Sequence, residues 1–232
     1  MSTRLAVVVP VYRNGATLRA LAGRLGAALD NPWTLRFVVD ACPEGGAAEA
    51  IALAAADPRI RATVLSSNQG QHRAIATGLA AETDADVWVC MDGDLQDPPE
   101  AVPVLVDALA QRQTAAVFAG RRGAYESRGR RLTGNAHRRV LAALTGLPPD
   151  AGAFVVMDAR VRDAVVSGVL EHGAPSVVVA AAGSGRALAS VPVHRDRRAQ
   201  GSSAWTSRAR LRQSARTILW AARHRGSLEI TP

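Results

Sequence analysis

An α/β domain built on a mainly parallel sheet is the fold class this sequence predicts, and three observations carry that expectation. Apolar runs of strand length alternate with helical patterns, which is the rhythm of a parallel sheet with crossover helices. A chain of 232 residues buries a large core as one domain and gives no need for a second. Neither an internal repeat nor a low-complexity segment interrupts the pattern.

Leu5 to Val11 is the first strand; it carries Pro10 and follows Met1-Ser2-Thr3-Arg4 with no small-residue cleavage site, so it reads as a strand and not as a signal peptide. That reading points to a cytoplasmic protein. A helix over Ala16 to Leu29 leads to a strand at Leu35 to Val39, and a helix over Ala47 to Ala56 leads to a strand at Ile60 to Leu65. The pattern repeats with a helix at Gln71 to Glu82 and a strand at Val87 to Met91. A helix over Pro99 to Arg112, opened by Asp97-Pro98, then precedes a strand at Ala115 to Ala119. Beyond these, Arg128, Arg130 and Arg131 open a helix running through Leu144. Ser207 to Arg225 reads as a final helix with Leu211, Ala215, Ile218, Leu219 and Ala222 on one face and Arg208, Arg212 and Arg216 on another. It suits either an anionic membrane surface or simple packing on the sheet with its arginines in water.

Composition narrows the chemistry. All 28 basic residues are arginine against 20 acidic ones, giving a formal charge of +8, and without lysine both Schiff-base and P-loop lysine chemistry are excluded. Arginine at this density suits an anionic partner: phosphate, nucleic acid or an acidic membrane surface. The few aromatics are not interleaved with the arginines, and no helix-turn-helix, zinc or RNA-binding signature appears, so no nucleic acid is expected. Cys42 and Cys90 stand at no metal or redox spacing, and His72, His137, His172, His194 and His224 are scattered without ligand spacing. Apolar runs fall short of the roughly 20 residues of a membrane helix.

The densest signal is Met91-Asp92-Gly93-Asp94-Leu95-Gln96-Asp97, directly after the apolar run that ends at Cys90. Carboxylates crowded at the end of a buried strand repel one another unless a cation, an arginine or hydrogen-bond donors offset them. In open α/β sheets the carboxyl edge is where ligands bind. Asp92-Gly93-Asp94 is the D-x-D arrangement that shares one hard cation through oxygen atoms, magnesium or manganese, with a diphosphate completing the shell; the alternative is an ordinary polar turn.

Several motifs occur in order along the chain: Val8-Val9-Pro10-Val11-Tyr12, Val39-Asp40, Asn68-Gln69-Gly70 with Ala74 and Gly78, the Asp92 to Glu100 block, Gly120-Arg121, and Arg198-Ala199-Gln200-Gly201-Ser202-Ser203. Together they resemble family 2 inverting glycosyltransferases of the GT-A fold, most similar to polyprenyl- and dolichyl-phosphate sugar synthases. The resemblance implies a UDP- or GDP-linked sugar as donor, with Pro10, Tyr12, Asp40, Gly70 and Asp92 binding it. It implies Mg2+ or Mn2+ held by Asp92, Asp94 and Gln96, and a phosphate-bearing acceptor met by Arg121, Arg131, Arg198 and Ser203. Asp94, Arg121 and Arg198 are the implied catalytic groups. Asp97 is read as the cap of the helix that follows. The resemblance divides the single domain into a donor and metal part over 1–120, an acceptor part over 121–206 and the basic helix over 207–225. Any membrane contact would be peripheral.

The departures from the pattern lie mostly on the acceptor side: Ala41 replaces a second aspartate, Ala153 an acidic residue, Val155 an arginine and Ala204 a lysine. A soluble metabolite acceptor and a non-catalytic nucleotide- or nucleic-acid-binding protein therefore stand beside the lipid-phosphate reading. A phosphate acceptor is already anionic and needs no general base, whereas a hydroxyl acceptor wants a carboxylate, for which Asp150 is the isolated candidate.

Overall fold

The computed structural model describes residues 2–122, 141–195 and 207–224, and for 121–122 and 207–214 it describes the backbone alone. Seven strands form one sheet in the order β3-β2-β1-β4-β6-β5-β7. They are β1 (Leu5–Val11), β2 (Trp33–Asp40), β3 (Ile60–Leu65), β4 (Val87–Cys90), β5 (Ala116–Arg122), β6 (Val155–Met157) and β7 (Leu188–His194). Within the sheet β6 alone runs antiparallel, to β4 and β5; β1, β2, β3 and β4 pair in parallel, as do β5 and β7. The six co-directional strands place their carboxyl ends on one edge.

Continuous apolar strands are explained by two covered faces. Leu5, Val7, Val9 and Val11 of β1 enter one core with α1 (Leu18–Ala28), α2 (Gly46–Ala56) and α4 (Ala101–Arg112). Ala6 and Val8 enter the other with α3 (Gln71–Ala81), α5 (Ala159–Leu170), α6 (Val177–Gly183) and Trp220 and Ala221 of α7 (Ser207–Arg223). The expected helices of the first half are present with ends shifted by a residue or two; Gly15–Thr17 is a 3-10 turn leading into α1. Cys90 is fully buried, and burial pushes its thiol far above the usual range, so it is a protonated core side chain.

Two expectations need correction. Asp97 does not cap α4: the N-cap is Glu100, with no side-chain cap bond, and Asp97 is instead buried against an arginine from the far side of the sheet. The α7 packing face is offset from the predicted one. Thr217, Trp220 and Ala221 are buried, with Trp220 Nε1 donating to the His172 carbonyl, while Ala215, Leu219 and Ala222 are exposed beside Arg216 and Arg223. A buried tryptophan contributes more apolar area than any one aliphatic residue of the predicted face, and its indole N–H finds a partner. No helix among the described residues is long and apolar enough to cross a membrane.

Candidate active site

The carboxyl edge is built from three strand exits. After β1, the Asn14 side chain accepts from the Tyr12 amide at 2.9 Å and its carbonyl accepts from the Thr17 hydroxyl at 2.8 Å, closing a tight turn. Tyr12 is left 43 % exposed at the edge. Pro10 lies inside β1, paired with Val38, two residues past the last β1–β4 pair at Val8 and Cys90. Its missing N–H therefore falls where β4 has already left the ladder.

After β2, buried Asp40 accepts from the Gln69 amide at 2.6 Å and the Gly70 amide at 2.8 Å. Asp40 thus pins the loop that opens α3, and Gly70, at φ +88°, turns the chain into that helix in a conformation open to glycine. After β4, the turn through Asp92 to Asp97 is held by the Gln96 amide donating to Asp94 Oδ1 at 3.1 Å. Gly93 is required there, because a Cβ would stand 2.3 Å from Asn14 Nδ2 and 3.0 Å from Val9 Cγ1. The loops after β1 and β4 therefore touch through the middle residue of the D-x-D.

Arg195, just past β7, reaches over β5 and β6 to this loop: its Nε lies 2.6 Å from Asp97 Oδ1 and its Nη2 lies 3.4 Å from Asp92 Oδ2. Gln71, the first residue of α3, donates to Asp92 Oδ1 at 2.6 Å. Among the described residues, the carboxylates at 92 and 97 share the Arg195 guanidinium, and Asp94 lies between them in the same turn. Asp92, Asp94 and Gln96 are all half-buried, and their donors are oxygens alone, the set a hard divalent cation prefers. Among the described residues, no group of three His, Cys, Asp or Glu is placed to hold a metal ion. With two carboxylates and one amide, the protein would supply half of an octahedral shell, so the set fits a cation that brings other oxygen ligands with it.

On the other side of the sheet centre, a Cβ on Gly120 would meet Asp150 Oδ2 at 2.2 Å, so Asp150 lies against the exit of β5. Arg121 is the penultimate residue of that strand, opposite Val193 of β7; its side chain is outside the described residues, as are Arg131, Arg198 and Ser203. The structure thus brings Tyr12, Asp40, Gly70, Asp92, Asp94, Gln96 and the Arg121 backbone to one edge. The helix expected from Arg128 through Leu144 is described only over 141–145.

A family model for glycosyl transferase family 2 matches residues 6–157, from β1 through β6 and across the whole acidic edge. The chain belongs to glycosyl transferase family 2. Among the relatives of this family 2 chain is an undecaprenyl-phosphate 4-deoxy-4-formamido-L-arabinose transferase of Shewanella sediminis, 32 % identical over 206 residues, which are 86 % of this chain and 61 % of the relative. This chain therefore spans less than two thirds of that relative's length. The fold is GT-A. It is shared with glucosyl-3-phosphoglycerate synthase of Mycobacterium tuberculosis, solved with Mn2+, UDP and glucosyl-3-phosphoglycerate, at a TM-score of 0.64 and 19 % identity over 97 % of this chain and 80 % of that one. A mannosyltransferase of Pyrobaculum calidifontis, solved with GDP-mannose and Mn2+, aligns at a TM-score of 0.59 and 17 % identity over 86 % and 58 %.

Sequence reasoning about this family 2 chain missed Arg195 and Gln71, which meet Asp92 among the described residues. Gln71 was legible as the first helical residue after the Asn68-Gln69-Gly70 loop. Arg195 was hidden among Arg197 and Arg198, and nothing local distinguishes it. His72, in the first turn of α3, is half-buried with Nδ1 enclosed and without a hydrogen bond; burial lowers its pKa from 6.5 to about 4.

Proposed function

We propose that this chain transfers a sugar, with inversion, from a UDP- or GDP-linked donor to a phosphate-bearing acceptor, polyprenyl phosphate in the first instance. The carrying observation is the half-buried oxygen cluster of Asp92, Asp94 and Gln96 at the carboxyl edge, flanked by an exposed Tyr12. Asp92, Asp94 and Gln96 would hold Mg2+ or Mn2+, which when bound supplies positive charge to the departing diphosphate. The Tyr12 ring offers an exposed face for the base, and the Asp40 carboxylate fixes the Gly70 loop beside it. Arg121 and Arg198, with Arg131 and Ser203, are assigned to phosphate. Such an acceptor arrives ionised, so no proton needs to be removed from it.

The split into a donor part over 1–120, an acceptor part over 121–206 and the α7 region belongs to the same reading, as does a cytoplasmic enzyme touching the membrane peripherally. The exposed Ala215, Leu219 and Ala222 beside Arg216 and Arg223 suit that contact. A soluble phosphate-bearing metabolite is the second reading, favoured by Asp150 at Gly120, which would serve a hydroxyl nucleophile. Calorimetry with UDP and GDP, each with and without Mn2+, on the wild type and Asp94→Ala, tests the donor site. Metal-dependent binding of one nucleotide that the variant loses is expected; no binding of either sinks the reading. Product formation from vesicles carrying polyprenyl phosphate, set against 3-phosphoglycerate in solution, then decides the acceptor.

A further inference from the structure

The two contacts of Arg195 are unequal. At Asp97 the ion pair is short and enclosed, 2.6 Å with side chains 14 % and 4 % exposed. At Asp92 it is 3.4 Å, at the outer limit of hydrogen-bond length, to a carboxylate 23 % exposed. A short pair shielded from water holds its geometry, whereas a long one at a wetter carboxylate exchanges readily. Asp92 Oδ1 accepts from Gln71 at 2.6 Å, and Oδ2 is the oxygen that faces Arg195 across the longer contact.

We propose that Arg195 is a resident counter-ion of the acidic loop and a ligand of the donor diphosphate. Anchored on Asp97, it lends Nη2 to Asp92 while no cation is bound. It passes that end to phosphate oxygens when a divalent cation takes Asp92 Oδ2. This inference rests on the donor-site reading above. Electrostatics sets the order of events: a cation at Asp92 repels the neighbouring guanidinium, and a diphosphate attracts both. Arginine suits the task because one planar group faces two anions at once: Nη2 donates to Asp92 while Nε stands against Asp97 as a close ion pair without hydrogen-bond alignment.

The test compares binding of Mn2+ alone with binding of UDP or GDP plus Mn2+, in the wild type, Arg195→Gln and the double variant Arg195→Gln/Asp97→Asn. The single variant leaves buried Asp97 without its cation and is at risk of misfolding; the double variant removes both charges and keeps the formal charge of the loop. For Arg195→Gln, Mn2+ alone is expected to bind several-fold tighter while the nucleotide with Mn2+ binds roughly tenfold weaker, the worth of a hydrogen bond to a charged group. In the double variant, Mn2+ affinity returns close to that of the wild type and nucleotide affinity stays about tenfold down. A purely structural Arg195 predicts that both affinities fall together in the single variant, or that the double variant recovers nucleotide binding; either result overturns the proposal. A wild type that binds neither nucleotide overturns the donor-site reading and the diphosphate role with it, while the Mn2+ comparison still decides the counter-ion role.

Discussion

Arg13, Ala41 and Leu95 hold left-handed backbone at φ 59°, 47° and 61°, and they lie in the turns that follow β1, β2 and β4. Backbone strain of this kind gathers where a site over-determines the chain. Ala41 carries it without the hydrogen-bonding side chain that lets an asparagine or aspartate tolerate this region better. Replacing Ala41 by Gly should raise stability by about 0.5–1 kcal/mol, read as a higher urea midpoint at unchanged m-value; a lower midpoint would show that the turn is unstrained. His72 gives a pH signature. Its folded pKa of about 4 lies below the unfolded 6.5, so the unfolded state takes up a proton first, and stability present above pH 6.5 is lost as the pH falls toward 4. The loss is at most about 3 kcal/mol, and His72→Gln should flatten the urea midpoint across that window. At this scale the sequence was legible where a residue acts on its own strand, as Asp92 and Asp94 do. It was opaque for Arg195, whose partners lie about 100 positions away in the chain.

Among the elements, β2, β3 and α3 are tied by one buried carboxylate. Glu82, at the end of α3, meets Arg36 Nε at 2.8 Å and Arg61 Nη1 at 2.7 Å, and its carbonyl accepts from Trp88 Nε1 at 2.6 Å. Glu82→Gln leaves two guanidinium groups without their counter-ion and should cost about 3–5 kcal/mol in chemical unfolding; a loss near zero would mean that water reaches the pair. The loops after β1 and β4 are joined at Gly93, so Gly93→Ala should weaken nucleotide binding with the far-UV spectrum unchanged, because the added methyl meets Asn14 and the Val9 side chain and parts the loops. Helices α1 to α4 were legible because their apolar period and their Pro and Gly punctuation agree with the packing. The helices α5 and α6 were not: Val177-Val178-Val179 is strand-like by propensity, and it becomes helical through the Ser176 cap and burial against the second core. β6, three residues long, is too short to carry a period.

For the whole molecule, the sheet order brings strand exits from both halves of the chain to one edge, so ligand occupancy should be felt globally. A nucleotide with Mn2+ at a hundred times its dissociation constant should add about 2.7 kcal/mol and raise the melting temperature by roughly 5–11 °C; chelation with EDTA should return it. A melting temperature indifferent to both would separate the acidic edge from nucleotide binding. The reversal of β6 has a further consequence. β5 ends at the carboxyl edge and β6 begins there, so residues 123–154 depart from and return to the same rim. An exchange between those two anchor points would alter the rim of the site, and it would have to keep Leu147, Ala153 and Phe154, which pack in the two cores.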